Sequence, residues 1–334
     1  MIKNRLFGRL FPQEFTLGFA EPQTEIAVWL HGTGSPMDVT YRYSVASAAP
    51  LTFCIGFDND VGRSDRFSLK FCRRLEQQTL GAIELKRVAA FSVGESQFIF
   101  FEPCSSTNYC LPRTQLAVQY LLFAYNQWRK DNTKGVHLSF LERRAMMVEF
   151  IRPHPVILVS VGSREEGNMF PMNLFGDLGN GYFGLALRAE RVVGGLVQRH
   201  GRIAVSSMPL SHGAVAYQLA HNHSRQSFDW DQLPYALRMS PLFNIPVPAF
   251  ALRVREMEIE TVRAVGSHRF FLARIVRDEK CSEGLAFCSV HGFYQGWRLK
   301  GCSEEERKAS LAVDAFSKRG RYVPLSKSAT ENFK

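Results

Sequence analysis

Residues 251–279, ALRVREMEIETVRAVGSHRFFLARIVRDE, limit the fold more than any other stretch of this chain. Two long strand-like runs, 251–266 and 268–279, meet at Gly266-Ser267. A joint that short returns the second strand antiparallel to the first, because a parallel crossover needs a dozen or more residues. The neighbouring segments agree. RPHPVILVSV (152–161) reads as a strongly apolar strand behind two prolines, and YFGLAL (182–187), IAVSSM (203–208) and GFYQGWRL (292–299) read as further strands. One short helix is expected from about Glu190 to His200. With strands so dominant, the second half is expected to be a β-barrel with a few helices rather than a doubly wound sheet.

The first half also reads as strands over about 15–103. VTYRYSV (39–45) alternates, with Val39, Tyr41, Tyr43 and Val45 on one face. EIAVWL (25–30), LTFCIGF (51–57), FSLKFC (67–72) and QFIFFE (97–102) are further candidates, and turn-formers such as GTGSP (32–36) separate some of them. Pro112 suits the first turn of a helix running to about Lys130, expected to be buried through Leu116, Tyr120, Phe123 and Ala124. Ser139 and Glu142 then have capping-box spacing ahead of LERRAMMVEF. A chain of 334 residues is long for one core. The division expected is 1–135, an N-terminal β-rich domain ending in a helix; 136–302, a second β domain; and 303–334, a helix with Ser303–Glu306 capping spacing and a polar tail. No internal repeat is evident.

Composition excludes several classes. Hydrophobic residues make up 46% and charged residues 22%, as in soluble globular proteins. The longest apolar run, Leu116 to Trp128, is broken by Gln119, Asn126 and Gln127, so no membrane span is expected. The N-terminus, MIKNRLFGRLFPQEF, has no continuous apolar segment and reads as a cytoplasmic start. The net charge of +10 favours anionic partners, but its lysines and arginines are dispersed, which argues against nucleic acid. Seven cysteines, with no zinc or CxxC spacing, read as reduced thiols. His221-Asn222-His223 lacks a third metal ligand, so no metal is expected. VWLHGTGSP (28–36) is lipase-like, but without a GxSxG elbow it is a plain turn. Cys104 and Cys110 read as idle thiols.

The segment EEGNMFPMNLFGDLGNGYFGLALRAER (165–191) carries the chemistry-bearing candidates. Five glycines and three asparagines in it leave the backbone bare enough for a ligand to approach. GDLGNG (176–181) is not a dinucleotide fingerprint. Arg188 and Arg191, however, stand between the end of a strand and the start of a helix, where free amides and guanidinium groups together grip phosphate. Gly194-Gly195 inside that helix costs roughly 1 kcal/mol each, which suggests tight packing there.

Taken in series, residues about 140–300 resemble the flavin reductase-like, FMN-binding split-barrel family. FLERRAMMVEFIRPHPVILVSV resembles its opening helix and proline-led strand. Gly167-Asn168, MFPMNLFGDLGNG and YFGLAL resemble its glycine, asparagine-containing loop and apolar strand. RVVGGLVQRHG and RIAVSSM resemble its short helix and following strand, and GSHRFFLARIV (266–276) its Gly-Asp-His turn. The resemblance implies a split β-barrel, a homodimer, and FMN bound near the dimer interface with NAD(P)H as co-substrate. It implies amides of Asn168, Met172, Asn173, Leu174, Phe175, Gly176 and Asp177 at the flavin's pyrimidine edge, with Met172, Leu174 or Phe175 against the ring. It implies His268 beside the approaching nicotinamide. Family hydroxyls that hold phosphate are missing near Asn173, Gly179 and Arg191, so Arg188 and Arg191 are the expected substitutes. The expected function is NAD(P)H-dependent flavin reduction, feeding a partner oxygenase. The alternative is a non-catalytic flavin-binding or interaction module.

Overall fold

The computed structural model describes residues 14–58, 66–74, 77–129 and 138–298. The first half runs β1 (Glu14–Phe19), β2 (Ile26–His31), β3 (Met37–Asp38), β4 (Tyr43–Ala48), β5 (Leu51–Phe57), β6 (Phe67–Arg73), β7 (Thr79–Val93) and β8 (Ser96–Asn108). Helices α1 (Arg113–Arg129) and α2 (Phe140–Glu149) follow. The second half runs β9 (His154–Pro155), β10 (Ile157–Gly162), β11 (Gly167–Met172), β12 (Phe175–Gly179), β13 (Tyr182–Arg188), α3 (Val192–His200) and β14 (Arg202–Ser207). An excursion over 208–252 carries α4 (Gly213–Leu219), β15 (Leu237–Met239) and β16 (Pro246–Pro248). The chain then returns through β17 (Arg253–Val265), β18 (His268–Lys280), β19 (Ala286–His291) and α5 (Gly292–Arg298).

Two seven-stranded antiparallel sheets organise the molecule, ordered β3-β2-β6-β7-β8-β5-β4 and β11-β10-β14-β17-β18-β13-β12. Numbered one to seven in chain order within each sheet, both read 2-1-5-6-7-4-3. The likeness extends to single residues. Hairpin β7–β8 closes on Val93 opposite Ser96, and β17–β18 closes on Val265 opposite His268. The extra residues that bulge the first hairpin are Val88 and Cys104; in the second they are Glu260 and Val276. Each of these lies 172 positions after its counterpart, as Gly266 lies after Gly94. Bulges re-aim strands and change their twist, so identical bulge positions give the two hairpins the same bend. The chain is therefore internally repeated, contrary to the sequence expectation. Val93-Gly94 with Phe98, against Val265-Gly266 with Phe270, and Phe53 against Phe183 preserve a sequence trace of it. Gly94 (φ 57°) and Gly266 (φ 51°) occupy the left-handed turn position that glycine takes without steric cost.

The halves meet face to face through β4, β5, β12, β13 and their long hairpins. Phe98 packs edge-on to Tyr182, and Phe270 edge-on to Phe100, with ring centroids 5.1 and 5.5 Å apart. Ala46, Cys54, Leu178, Ala186 and Leu272 fill the space around them. The contacts are reciprocal. The Gly266 turn docks on the β4–β5 hairpin, where the Ser267 amide donates to the Ala49 carbonyl at 2.7 Å. The Gly94 turn docks on the β12–β13 hairpin, where the Tyr182 hydroxyl donates to the Val93 carbonyl at 3.4 Å and Asn180 donates to Ser96 Oγ at 3.1 Å. A third sheet, β1-β19-β9, pairs the first strand with the last, Phe19 opposite Ala286 and Glu14 opposite His291.

Local physics explains where sequence reading held and where it failed. The capping box at Ser139 is formed: its hydroxyl accepts from the Glu142 amide at 3.2 Å, and Glu142 accepts from the Ser139 amide at 2.7 Å. Val39–Arg42 is not strand. Asp38 Oδ1 accepts from both the amide and hydroxyl of Thr40, and Arg42 donates to the Val39 carbonyl, so the chain turns before β4. Residues 292–298 form helix α5, not a strand, and Phe293 and Tyr294 on it are both buried. Helix α1 buries Leu116 and Gln119 but exposes Val118, Leu121 and Tyr125, so it is not the buried helix expected. Helix α2 packs Ala145, Met147 and Val148 into the core of the first half, although its sequence position suggested the second. The expected Ser303 helix and polar tail, and the Asp131–Gly135 connector, lie outside the described residues.

Candidate functional site

The bare backbone of 167–181 answers first to the other half of the molecule. A Cβ on Gly176 would lie 2.2 Å from the Tyr43 carbonyl oxygen of β4. Reciprocally, a Cβ on Gly56 of β5 would lie 2.0 Å from the Leu178 carbonyl. These glycines let two backbones cross at contact distance, a role that sequence reading had assigned to ligand approach. Asn168 is fully buried in β11 and donates to the Asn222 and Arg225 carbonyls at 3.0 and 2.7 Å, fastening the 208–252 excursion to the sheet. Met172 lies within the core of the second half. Its side chain therefore does not cover a ligand ring, because core packing already claims it.

Between β11 and β12, Asn173 and Leu174 are half-buried, and the Leu174 carbonyl accepts from the Ala186 amide at 3.0 Å. Phe175 stacks on Phe183 at 5.5 Å. Asp177 pairs with Arg255 at 2.8 Å, and Arg255 also reaches Asp278 at 3.2 Å. Sequence reading missed Arg255, which stands 78 positions away from Asp177. The 173–177 segment thus keeps accessible surface only at Asn173, Leu174, Phe175 and Asp177.

The end of β13 and the start of α3 form the cationic part of the site. Arg188 is the register partner of His268 and reaches Glu190 at 3.3 Å. Arg191 is the N-cap of α3, where no side chain caps the helix amides; its guanidinium donates to Ser224 Oγ at 2.8 Å. An uncapped helix start flanked by two arginines attracts anions through both free N–H groups and charge. The excursion supplies two further groups that sequence did not flag for this place. Ser224 meets Arg191, and His223 Nε2 donates to the Pro171 carbonyl at 2.8 Å. A carbonyl only accepts, so the His223 proton is on Nε2; burial, the largest influence, lowers its pKa and keeps the ring neutral. A Cβ on Gly194 would meet nothing closer than Arg269 at 3.7 Å, and one on Gly195 nothing within 4 Å, so tight packing is not their explanation.

His268 is buried, 3% exposed, under the β4–β5 hairpin. Its Nδ1 receives the Ala48 amide at 3.4 Å, with Ser47 and Ser267 hydroxyls at 3.4 and 2.9 Å. Burial first, and the Arg188 charge second, push its pKa down to about 4. An imidazole in this setting is neutral and held against the other half. Beside it, a groove of about 460 Å³ runs along the seam between Pro50, Phe100, Glu102, Arg263, Val265 and Gly266. Arg263 lies over the Phe91 ring at 4.2 Å. The structure therefore brings Arg188, Arg191 and His268 to one end of the second sheet, sets Leu174–Asp177 on the seam, and commits Asn168 and Met172 to the interior. Among the described residues, no group of three or more His, Cys, Asp or Glu could hold a metal ion, and no helix is long and apolar enough to cross a membrane.

Scanned against family models the chain matches none, and a search of curated proteins finds no match. Solved structures similar to it are flavin reductases and FMN-binding proteins. An FMN-binding protein from Thermus thermophilus with bound 1-cyclohex-2-enone is 24% identical over 39% of this chain and 71% of its own, with a TM-score of 0.35. The NADH:FAD oxidoreductase SgcE6 of Streptomyces globisporus C-1027 is 18% identical over 45% of this chain and 88% of its own, with a TM-score of 0.39. BorF, the flavin reductase component of a bacterial two-component tryptophan halogenase, is 18% identical over 45% and 94%, with a TM-score of 0.40.

Proposed function

We propose that this protein is an FMN-binding oxidoreductase of the flavin reductase type, taking a hydride from NAD(P)H. The observation that carries the reading is the uncapped start of α3 with Arg191 on it and Arg188 at the adjacent strand end. It follows the 171–177 segment in the order the family resemblance requires. These residues fit a flavin mononucleotide. Its phosphate would be held by the α3 amides and by Arg188 and Arg191, with Ser224 orienting the Arg191 guanidinium. Main-chain groups of 173–176 would meet the polar edge of the ring, and Leu174 and Phe175 would cover part of its face. Bound flavin supplies the two-electron chemistry; the chain binds it, orients it and excludes water. Neutral His268 serves as a hydrogen-bonding residue at the seam that positions the Gly266 turn, rather than as a proton donor at neutral pH. A partner oxygenase would consume the reduced flavin in a reducing compartment. The described cysteines, none in a disulfide, suit that setting.

The burial of His268 favours a second reading, a flavin-binding module that nicotinamide does not reduce. The visible spectrum of the purified protein, with and without added FMN, decides whether flavin binds. Anaerobic bleaching by NAD(P)H then decides between reductase and module. Arg191→Ala is expected to weaken FMN about tenfold, the equivalent of roughly 1.4 kcal/mol, while leaving riboflavin affinity unchanged. Equal losses for both ligands would remove Arg191 from the phosphate.

A further inference from the structure

We propose that the first half is a diverged copy standing where a second copy of the second half would stand, and that only one of the two related positions along their seam is kept as a ligand site. The reciprocal docking of the two hairpin turns defines an approximate two-fold relation between the halves. Phe91 and Arg263 correspond to each other at the same offset as the turns, and they stack on one another at 4.2 Å, which puts the axis between them.

The seven strands of each sheet and their hairpins have counterparts across that axis, so these parts of the two sides can be compared residue by residue. On the open side lies the groove of about 460 Å³, with Val88, Glu102 and Thr52 on its wall. By the same registers, Glu260, Arg274 and Tyr182 occupy the corresponding places on the other side. There Arg274 lies over the Tyr182 ring at 4.5 Å, donates to its hydroxyl, and pairs with Glu260 at 2.6 Å. The counterpart position is therefore plugged by the protein's own aromatic ring and guanidinium.

The ends of the two grooves differ in charge as well. Arg188, joined to the open side through the Ser267 carbonyl that accepts the Ala189 amide, corresponds to Asp58 on the closed side. Asp58 is held by Arg42 and Asn180, each at 2.7 Å. A ligand with a flat body is thus admitted on one side and refused by bulk on the other, and on the open side Arg188 stands beside the turn that ends the groove. The size and lining suit one aromatic ring system, and the Arg188 charge points to an anionic end, a phosphate, carboxylate or sulfonate. Flavin mononucleotide is such a ligand; the groove includes none of residues 173–176, so identifying FMN as its occupant rests on the flavin-binding function proposed above and not on the ring contacts given there.

Light scattering on the full chain, over a hundredfold concentration range, is expected to give the 37.9 kDa mass of one chain. A stable pair of chains would overturn the stand-in role. Calorimetric titration with FMN is expected to saturate at one per chain, and two would overturn the single-site assignment. Ala264→Trp, at an exposed position on the groove wall, is expected to weaken FMN at least tenfold with the circular dichroism spectrum unchanged. The same titrations with 1-anilinonaphthalene-8-sulfonate, a flat apolar anion, separate the two readings. If the sulfonate binds one per chain and Ala264→Trp removes it while FMN never binds, the groove stands and the flavin reading falls. If Ala264→Trp changes neither ligand, the groove inference falls.

Discussion

At the scale of single residues, the seam tolerates little added bulk. Gly176→Val would force its new side chain into the Tyr43 carbonyl, 2.2 Å from where its Cβ must lie. Backbone cannot step aside as a flexible side chain can, so a loss of about 3 kcal/mol is expected in urea unfolding. A loss within experimental error would mean that the two strands separate readily. His268 makes a pH prediction whose sign is fixed. Its pKa falls from an ordinary 6.5 to about 4 in the folded chain, chiefly through burial and then through Arg188. The unfolded chain therefore binds the extra proton between those values, and stability present above pH 6.5 is lost as pH falls toward 4. His268→Asn is expected to flatten that part of the stability–pH curve. Superimposable curves for the two proteins would mean the ring is not sealed as described.

Among elements, the excursion over 208–252 shows how one buried carboxylate can organise a loop. Glu256 on β17 is fully buried and accepts from the Ser240 hydroxyl at 2.6 Å and from the amides of Leu242 and Phe243. Glu256→Gln keeps Oε1 as an acceptor but turns Oε2 into an NH2 facing the Leu242 amide and removes the charge that strengthens the other bonds, so a cost of ~2 kcal/mol is expected. Hydrogen exchange of the 240–243 amides would report it, and unchanged protection there would refute the role. Helix α2 is a milder case. Ser139→Ala should cost about 1 kcal/mol as a lost cap. Glu142→Ala should cost more, since Glu142 Oε1 also accepts the Leu51 amide at 2.9 Å and so ties the helix start to β5.

Across the whole molecule, the halves are coupled three times: by the aromatic seam, by the reciprocal hairpins, and by β1 pairing with β19. Phe270 is fully buried at the centre of that coupling. Phe270→Ala is expected to cost roughly 3–5 kcal/mol and to lower the melting temperature of both halves together. Hydrogen exchange resolved by peptide would test it, and early melting of one half alone would show two independent units.

What the sequence determined by itself was local. Alternating and apolar runs placed β5, β6, β10, β13 and the β17–β18 hairpin, and Ser139 with Glu142 announced α2, because these follow from pleat period, turn geometry and capping within a few residues. Arg188 and Arg191 were legible for the same reason, standing at a strand end and a helix start. The tertiary structure alone decided what the glycines face, that His268 is sealed, and that Arg255, Ser224 and His223 join the site, since those partners lie tens to hundreds of positions apart. It alone revealed the repeat, because strand order and bulge register depend on backbone geometry that many side chains satisfy, and the two halves share little else in sequence than a valine, a glycine and two phenylalanines.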